Sequence, residues 1–540
     1  MIRSTLVLAL ASSAVAAQDP LAADRFEEGT ALPKSLTPAE QASVLLNPIF
    51  AAESAGAPIG SVRTPAEYEP MEGILVAYEG SASWRTILRQ MAVQVTTVGN
   101  ANMYVVCDSA SEASSTFTLM VNEGADPDRV ITFVRRTDSI WMRDYGPRYI
   151  YEEGIRAMVD HTYNRPRPND NAFSAGWAPA RGEAIYDIPL VHGGGNYHLD
   201  ALGGAASTRL INNENPSLTQ SEILQLWRDF QSLETTLFDA FPTFVDSTQH
   251  IDMWMQIAGD DQIVISDWPL EPGSQWDQIC DQAAADFAAN GWTVTRVPAL
   301  RSGGTHYTFT NVVMVNDLVL IPEYDNVPAT YSQQALAAWQ ADFPNKNIVQ
   351  IDCDGIVTAA GVMHCIVMHV PASSGGENPV VWVTEPAADA DLDPGDTLSI
   401  TWKTDDDAGA MSAASVDIHL VDSGGAEIAV IAEGVADSGS FVWSVPDVAA
   451  DGASIEIVAR DADGNVGTDT ATGLVSVSGA AGCSPADLAA PFGFLDLTDI
   501  DTFIGAFGTG DLAADLAVPF GVVDLSDIDA FIAGFLAGCP

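Results

Sequence analysis

The sequence predicts an α/β domain followed by two smaller modules, a β-sandwich and a short helical repeat. Three observations predict it. From Glu67 to about Pro371, short apolar strands (EGILVAY, MYVVC, DQIVISDW, NVVMVNDLVLIP) alternate with helical stretches such as SEILQLWRDF and SQQALAAWQADF, the pattern of one α/β domain. After residue 379 come seven or so short strands of alternating polarity, separated by Gly, Asp and Pro turns, the pattern of a sandwich. Finally, ADLAAPFGFLDLTDIDTFIGAF, starting at Ala486, recurs as ADLAVPFGVVDLSDIDAFIAGF from Ala514, and repetition at fixed spacing marks units that bury their apolar faces on one another.

Taken in order, residues 1–17 read as a secretory signal, with Arg3 in the charged region, Leu6 to Ala11 as the apolar run and Ala14-Val15-Ala16 as the cleavage site. The run is too short for a membrane span, so an exported, soluble chain without a transmembrane segment is expected. Residues 18–60 are polar and Ala-rich, the text of a leader or pro-segment. The α/β domain occupies 61–371, and PASSGGENP supplies a linker over 372–379. The immunoglobulin-like sandwich is placed at 380–479 and the duplicated module at 483–540. Cys483 and Cys539 bracket that last module and are placed to clip it shut.

With 73 acidic and 22 basic residues the net charge is −51. Such a surface excludes nucleic acid as a natural partner, because phosphate binding needs basic residues. It suits a saline habitat, where salt screens self-repulsion. In the repeat, Asp487 matches Asp515, Asp496 matches Asp524, Asp499 matches Asp527 and Phe503 matches Phe531. A dockerin-like pair of Ca2+ loops is one reading, but the aspartates depart from the ligand order of an EF-hand-type loop; a metal-free helical pair is favoured. A surface or docking partner is the expected role of the two C-terminal modules.

Four segments of the α/β domain set reactive polar residues in apolar text: TDSIWMRDYGPRY, VHGGGNYHLD, STQHIDMWMQIAG and GVMHCIVMHVP. His250 and Asp252 alternate with Ile251 and Met253, so a strand would project both from one face; a half-exposed strand with an incidental histidine is the alternative. Cys365 reads as a small core residue of an apolar strand or as a nucleophile with His and Asp partners elsewhere in the chain. The glycines of HGGGN suggest a close backbone approach to a ligand. Asp144 lies at a turn, with Trp141 offering a flat face. Two carboxylates that grip a planar guanidinium, a thiol that attacks its central carbon and a histidine that protonates the leaving ammonia form one coherent set. No spacing here suggests a catalytic metal or cofactor.

The set EYEPMEGILVAY, WMRDYGP, GGGNYHLD, HIDMW, YTFTN and MHC resembles the guanidino-group-modifying enzymes called penteins. It looks most like the bacterial Porphyromonas-type peptidylarginine deiminases, with agmatine deiminases as close relatives. The resemblance covers about Pro65 to Pro371. It implies a five-bladed α/β propeller with the site at its centre. It also implies Cys365 as nucleophile, His250 as general acid and base, Asp144 and Asp252 on the guanidinium, Trp141 lining the slot, Asp200 supporting the substrate, and Asn311 near the reacting end. The reaction implied is attack on the guanidinium carbon, loss of ammonia, a thiouronium intermediate and hydrolysis to citrulline.

In YNRPRPND, Arg165 and Arg167 each precede a proline, which stiffens the loop. The segment resembles the one with which peptidylarginine-type enzymes hold a free α-carboxylate, and so implies a peptide ending in arginine; salt bridges to nearby acids are the alternative. The family pattern breaks at Ala201, where glycine is expected, and at Ser247, where tyrosine is expected. The expected protein is thus a secreted deiminase acting on arginine-containing peptides or proteins. An agmatine deiminase is the runner-up, and a non-catalytic docking protein the third reading.

Overall fold

The computed structural model describes residues 30–478, 484–490 and 492–539. They fall into two compact units divided between Ser374 and Gly375. The signal segment and Cys483 lie outside the described residues. Among the described residues no helix is long and apolar enough to cross a membrane.

The first unit repeats one local plan five times. A central strand is followed by a helix and a second, parallel strand, and a short antiparallel strand pairs on the other side. The central and parallel strands are Met71–Ala77 with Asn102–Cys107, Ile155–Tyr163 with Ala184–His192, and Gly204–Thr208 with Glu234–Phe238. Gln262–Asp267 with Thr293–Pro298 and Leu318–Glu323 with Asn347–Asp352 complete the set. The antiparallel partners are, in the same order, Met368–Pro371, Arg148–Glu152, His198–Leu199, Met255–Ile257 and Val313–Val315.

Central strands such as Met71–Ala77 are nearly continuous apolar runs because both faces are covered. The connecting helices show the complementary stripe. Ala82–Thr97 buries Trp84, Ile87, Leu88, Met91 and Val95, the i, i+3, i+4, i+7 spacing of an amphipathic helix. Ser81 caps it by accepting from the Trp84 N–H, and Thr219 forms a capping box with Glu222 ahead of Gln220–Gln231.

The second unit holds a sandwich and the helical repeat. In the sandwich, one sheet centres on Thr397–Asp406 and the other on Ala450–Arg460. Buried and half-exposed residues alternate along Ala450–Arg460, and Trp402 and Trp443 lie in the core. In the repeat, helices Leu497–Thr509 and Leu525–Ala537 bring equivalent residues together. The rings of Phe503 and Phe531 stack with centroids 4.1 Å apart. The aspartates serve the backbone: Asp499 accepts from the N–H groups of Leu488 and Ala489, and Asp527 from those of Leu516 and Ala517. Cys539 is disulfide-bonded.

Candidate active site

Each of the five sheets sends one turn, just ahead of its antiparallel strand, to a common centre. Asp144 lies in the short helix Met142–Tyr145, Gly195 and Asn196 in Gly194–Asn196, and Asp252 in Ile251–Met253 with His250 at its N-cap. Asn311 precedes Val313–Val315, and Cys365 lies in His364–Ile366. Asp144, His250, Asp252, Asn311, His364 and Cys365 are all buried.

Both motif segments differ from their expected form. HIDM is a tight turn rather than a strand, and so is HCI. The polar–apolar alternation is real but has another cause. His250 and Asp252 face the polar centre while Ile251 and Met253 enter the apolar core, and none is exposed. Gln249, at φ +60°, breaks the extended path just before the turn. Asp246 then accepts from the N–H groups of Thr248 and His250.

Contacts among these turns are short. Asn311 Nδ2 donates to the Asp252 carbonyl at 3.1 Å and to Cys365 Sγ at 3.2 Å, and its Oδ1 accepts from His364 N–H at 3.0 Å. His250 Nδ1 is 3.5 Å from Asp144 Oδ1. The glycine motif closely approaches these side chains. A Cβ on Gly195 would stand 2.8 Å from Asp252 Oδ2, 2.9 Å from Asp144 Oδ1 and 2.9 Å from His250 Nδ1. Gly195 N–H instead donates to Asp144 Oδ1 at 3.2 Å.

Lys34, from the segment read as a leader, enters this centre. Its Nζ lies 2.9 Å from Cys365 Sγ, 3.7 Å from Asp144 Oδ1 and 3.6 Å from Asp252 Oδ2, with no exposed surface. Burial works to raise the Asp144 carboxyl, yet the Lys34 ammonium and then His250 hold it down to about 2. Asp252 is likewise held below the ordinary range against burial, first by Lys34 and then by His364. Burial and then Asp252 push the Cys365 thiol up to about 12, against the pull of Lys34. Asp144 Oδ2, Asp252 Oδ1 and both His250 nitrogens carry no hydrogen bond. An ammonium with three donors leaves the two carboxylate oxygens unmatched, whereas a guanidinium carries five in a planar fork.

A family model of the Porphyromonas-type peptidyl-arginine deiminases matches residues 63–371. The chain belongs to that family. Its first domain is therefore a guanidino-group deiminase of pentein type. A second model, the Kre9/KNH-like N-terminal Ig-like domain, matches residues 385–468 of the sandwich. The agmatine deiminase of Ectopseudomonas mendocina is 25% identical over 366 residues, which are 58% of this chain and 96% of that protein. A C. jejuni agmatine deiminase with substrate bound superposes with a TM-score of 0.51 at 16% identity, covering 58% of this chain and 97% of that one. For the agmatine deiminase of Enterococcus faecalis the values are 0.50, 18%, 59% and 99%. At these identities the structures show the deiminase fold alone.

Within the deiminase domain, Trp141 lines the slot. A Cβ on Gly361 would meet its ring at 2.5 Å, and Cys365 Sγ and the Lys34 stem at 3.1 Å each. Asp200 does not join the centre as expected. Its carboxylate closes the turn ahead of Gly204–Thr208, accepting from the N–H groups of Leu202 and Gly204. Ala201 at the broken family position donates its N–H to Tyr68.

Arg165 and Arg167 do lie together beside the slot, but both hold the N-terminal segment. Arg165 Nε donates to the Lys34 carbonyl at 3.1 Å. Arg167, fully buried, donates to Glu40 Oε1 at 2.8 Å and to the Pro33 carbonyl at 2.7 Å. The alternative of a salt bridge to an acid thus holds for Arg167, though the pair is buried and not on the surface.

Sequence reasoning missed three residues here. Glu67 and His364 were only letters in matching motifs, yet His364 Nδ1 lies 3.0 Å from Asp252 and its Nε2 3.0 Å from Glu67. Lys34 had one usable signal: the chain has only three lysines, and this one stands in the supposed leader.

Proposed function

We propose that the deiminase acts on arginine in peptides, with C-terminal arginine favoured, and releases citrulline and ammonia. The observation that carries the reading is the arginine pair beside the cation slot. Arg165 faces the main-chain carbonyl of the residue whose cation fills the slot, and Arg167 holds a carboxylate. A C-terminal arginine presents a carboxylate at that level, whereas agmatine presents nothing there.

In this reading Asp144 and Asp252 grip the guanidinium and bring its carbon to Cys365 Sγ. The incoming cation replaces Lys34 as the charge that favours a thiolate. The Cys365 thiol passes its proton to His250 as the S–C bond forms, and one C–N bond breaks as His250 hands that proton to the departing nitrogen, which leaves as ammonia. Water, deprotonated by His250, then attacks the thiouronium carbon. The S–C bond breaks, leaving a ureido group and the free thiol. Asn311, bonded to both reacting turns, keeps the thiol in line.

The runner-up, agmatine deimination, is supported by the names of the relatives. Ureido product would be measured from a peptide ending in arginine, its amide and agmatine, using wild type, Lys34→Ala and Lys34→Ala with Arg165→Ala/Arg167→Ala. The peptide reading expects turnover of the free-carboxylate peptide that falls on the order of 100-fold or more without the arginines. Agmatine turnover indifferent to the pair would replace it with the runner-up.

We further infer the following architecture and setting for the enzyme. The five sheets stand as blades around the site. The chain is exported by its first 17 residues. The sandwich and repeat space or dock the enzyme on a surface or partner. The repeat holds together without Ca2+.

A further inference from the structure

We propose that residues 32–40 are an intramolecular pseudosubstrate, so that the full chain is latent until this segment leaves the site. Its identity as a substrate mimic rests on the peptide-arginine reading; its action as a plug does not.

The segment is bound as a peptide rather than packed as a surface tail. Three consecutive carbonyls are each read by a side chain of the deiminase domain. Trp141 Nε1 donates to Leu32 O at 2.8 Å, Arg167 to Pro33 O and Arg165 to Lys34 O. The Lys34 N–H donates to the Ala359 carbonyl at 2.9 Å. The side chain between these contacts is a cation, and it ends at the nucleophile.

Lysine suits this purpose because it cannot react. Its ammonium satisfies the charge of Asp144 and Asp252 but offers no electrophilic carbon and no leaving amine. Cys365 beside it is covered and has nothing to attack. The unmatched oxygens of Asp144 and Asp252 mark what the donors of a guanidinium would fill.

A route of release is present. Pro38–Leu46 forms a helix, opened by a capping box of Thr37 and Glu40, that anchors the segment through Glu40 and Arg167. Its last residues, Leu45 and Leu46, are exposed, and so is Phe50 in the stretch without regular structure from Asn47 to Ser61. Such exposed, irregular chain is open to an endopeptidase. One cut there leaves the plug held by non-covalent contacts alone.

The test uses the full chain with a recognition sequence for a site-specific endopeptidase placed between Leu46 and Ala51, beside Lys34→Ala. The probe is chloroacetamidine, a small planar cation that alkylates a thiol in a guanidinium slot, with Cys365 modification followed by peptide mass. Cutting, or Lys34→Ala, is expected to raise the labelling rate roughly ten-fold or more, since an intramolecular ligand acts at millimolar effective concentration. Equal labelling of Cys365 before and after both changes would overturn the plug. Labelling that rises while no arginine peptide is turned over would keep the plug and sink the substrate reading instead.

Lys34→Arg gives a second readout. With a guanidinium carried to the nucleophile, the substituted side chain is expected to become citrulline within its own chain, and to stay unchanged when Cys365→Ala is added. An unconverted guanidinium in the Cys365-containing chain would show that the segment does not lie as a substrate does.

Discussion

Asp252 and His364 meet 3.0 Å apart beneath the cation slot, and behind His364 stands Glu67, itself 2.6 Å from Arg143. A buried row of ionisable side chains thus runs from the slot into the domain. Burial works to raise the Glu67 carboxyl, but Arg143 and then His364 hold it well below its ordinary value.

Breaking that row from its far end should destabilise the fold and not only the site. Glu67→Ala leaves Arg143 buried without its carboxylate, a change that costs about 3–5 kcal/mol in comparable buried pairs. Urea denaturation should show a lower midpoint at unchanged slope. A midpoint equal to wild type would mean that the pair adds nothing.

Gly195→Ala should do the opposite and spare the fold while disabling the chemistry. The new methyl falls within 3 Å of three side chains at the centre, and misplacement of reacting groups by about 1 Å costs on the order of 100-fold in rate. Deiminase activity of Lys34→Ala/Gly195→Ala, set against Lys34→Ala, should drop by that order with an unaltered circular dichroism spectrum.

Stability should fall as pH rises from about 4 to about 8, in part through Asp170. Burial, and then Asp138, push its carboxyl up from 3.8 to about 8. The folded chain therefore keeps a proton that the unfolded chain has lost. This contribution is complete below the unfolded value and is lost as pH rises through the folded one, at up to about 1.4 kcal/mol per pH unit. Asp170→Asn keeps an acceptor for the Asp138 and Ser139 N–H groups and should flatten the dependence of Tm on pH. An unchanged slope would count against the assignment.

Chelation of Ca2+ should leave the C-terminal repeat intact. Its helices stack through Phe503 and Phe531, and its inward aspartates already receive backbone N–H groups. The melting curve of the repeat with and without chelator decides the point, and a shift of several degrees on adding Ca2+ would reverse it.

Much of the site could be read from the sequence because each motif keeps its reacting residue next to a turn signal. Asp144 precedes Tyr145-Gly146-Pro147, and Cys365 follows a glycine by four residues. What failed was local form. The period of two in HIDM is shared by a strand and by a turn whose apolar members enter the core, and periodicity alone cannot separate them. Asp200 was assigned by its motif, but a carboxylate two residues before a tight turn also finds backbone N–H groups. Lys34 was weakly signalled for a different reason. Its neighbours are polar and Ala-rich, and only the folded path brings it to a thiol 331 residues away.

The strand that follows the nucleophile pairs with the strand that opens the domain: Met368–Pro371 lies antiparallel on Met71–Ala77. Synthesis from the N-terminus therefore delivers the four earlier turns, and Lys34, before the thiol. A chain still emerging lacks the thiol of the centre, and the sheet around Met71–Ala77 is completed only by the last strand of the domain, Met368–Pro371. The order of residues along the chain makes the thiol the last part of the buried centre to be supplied.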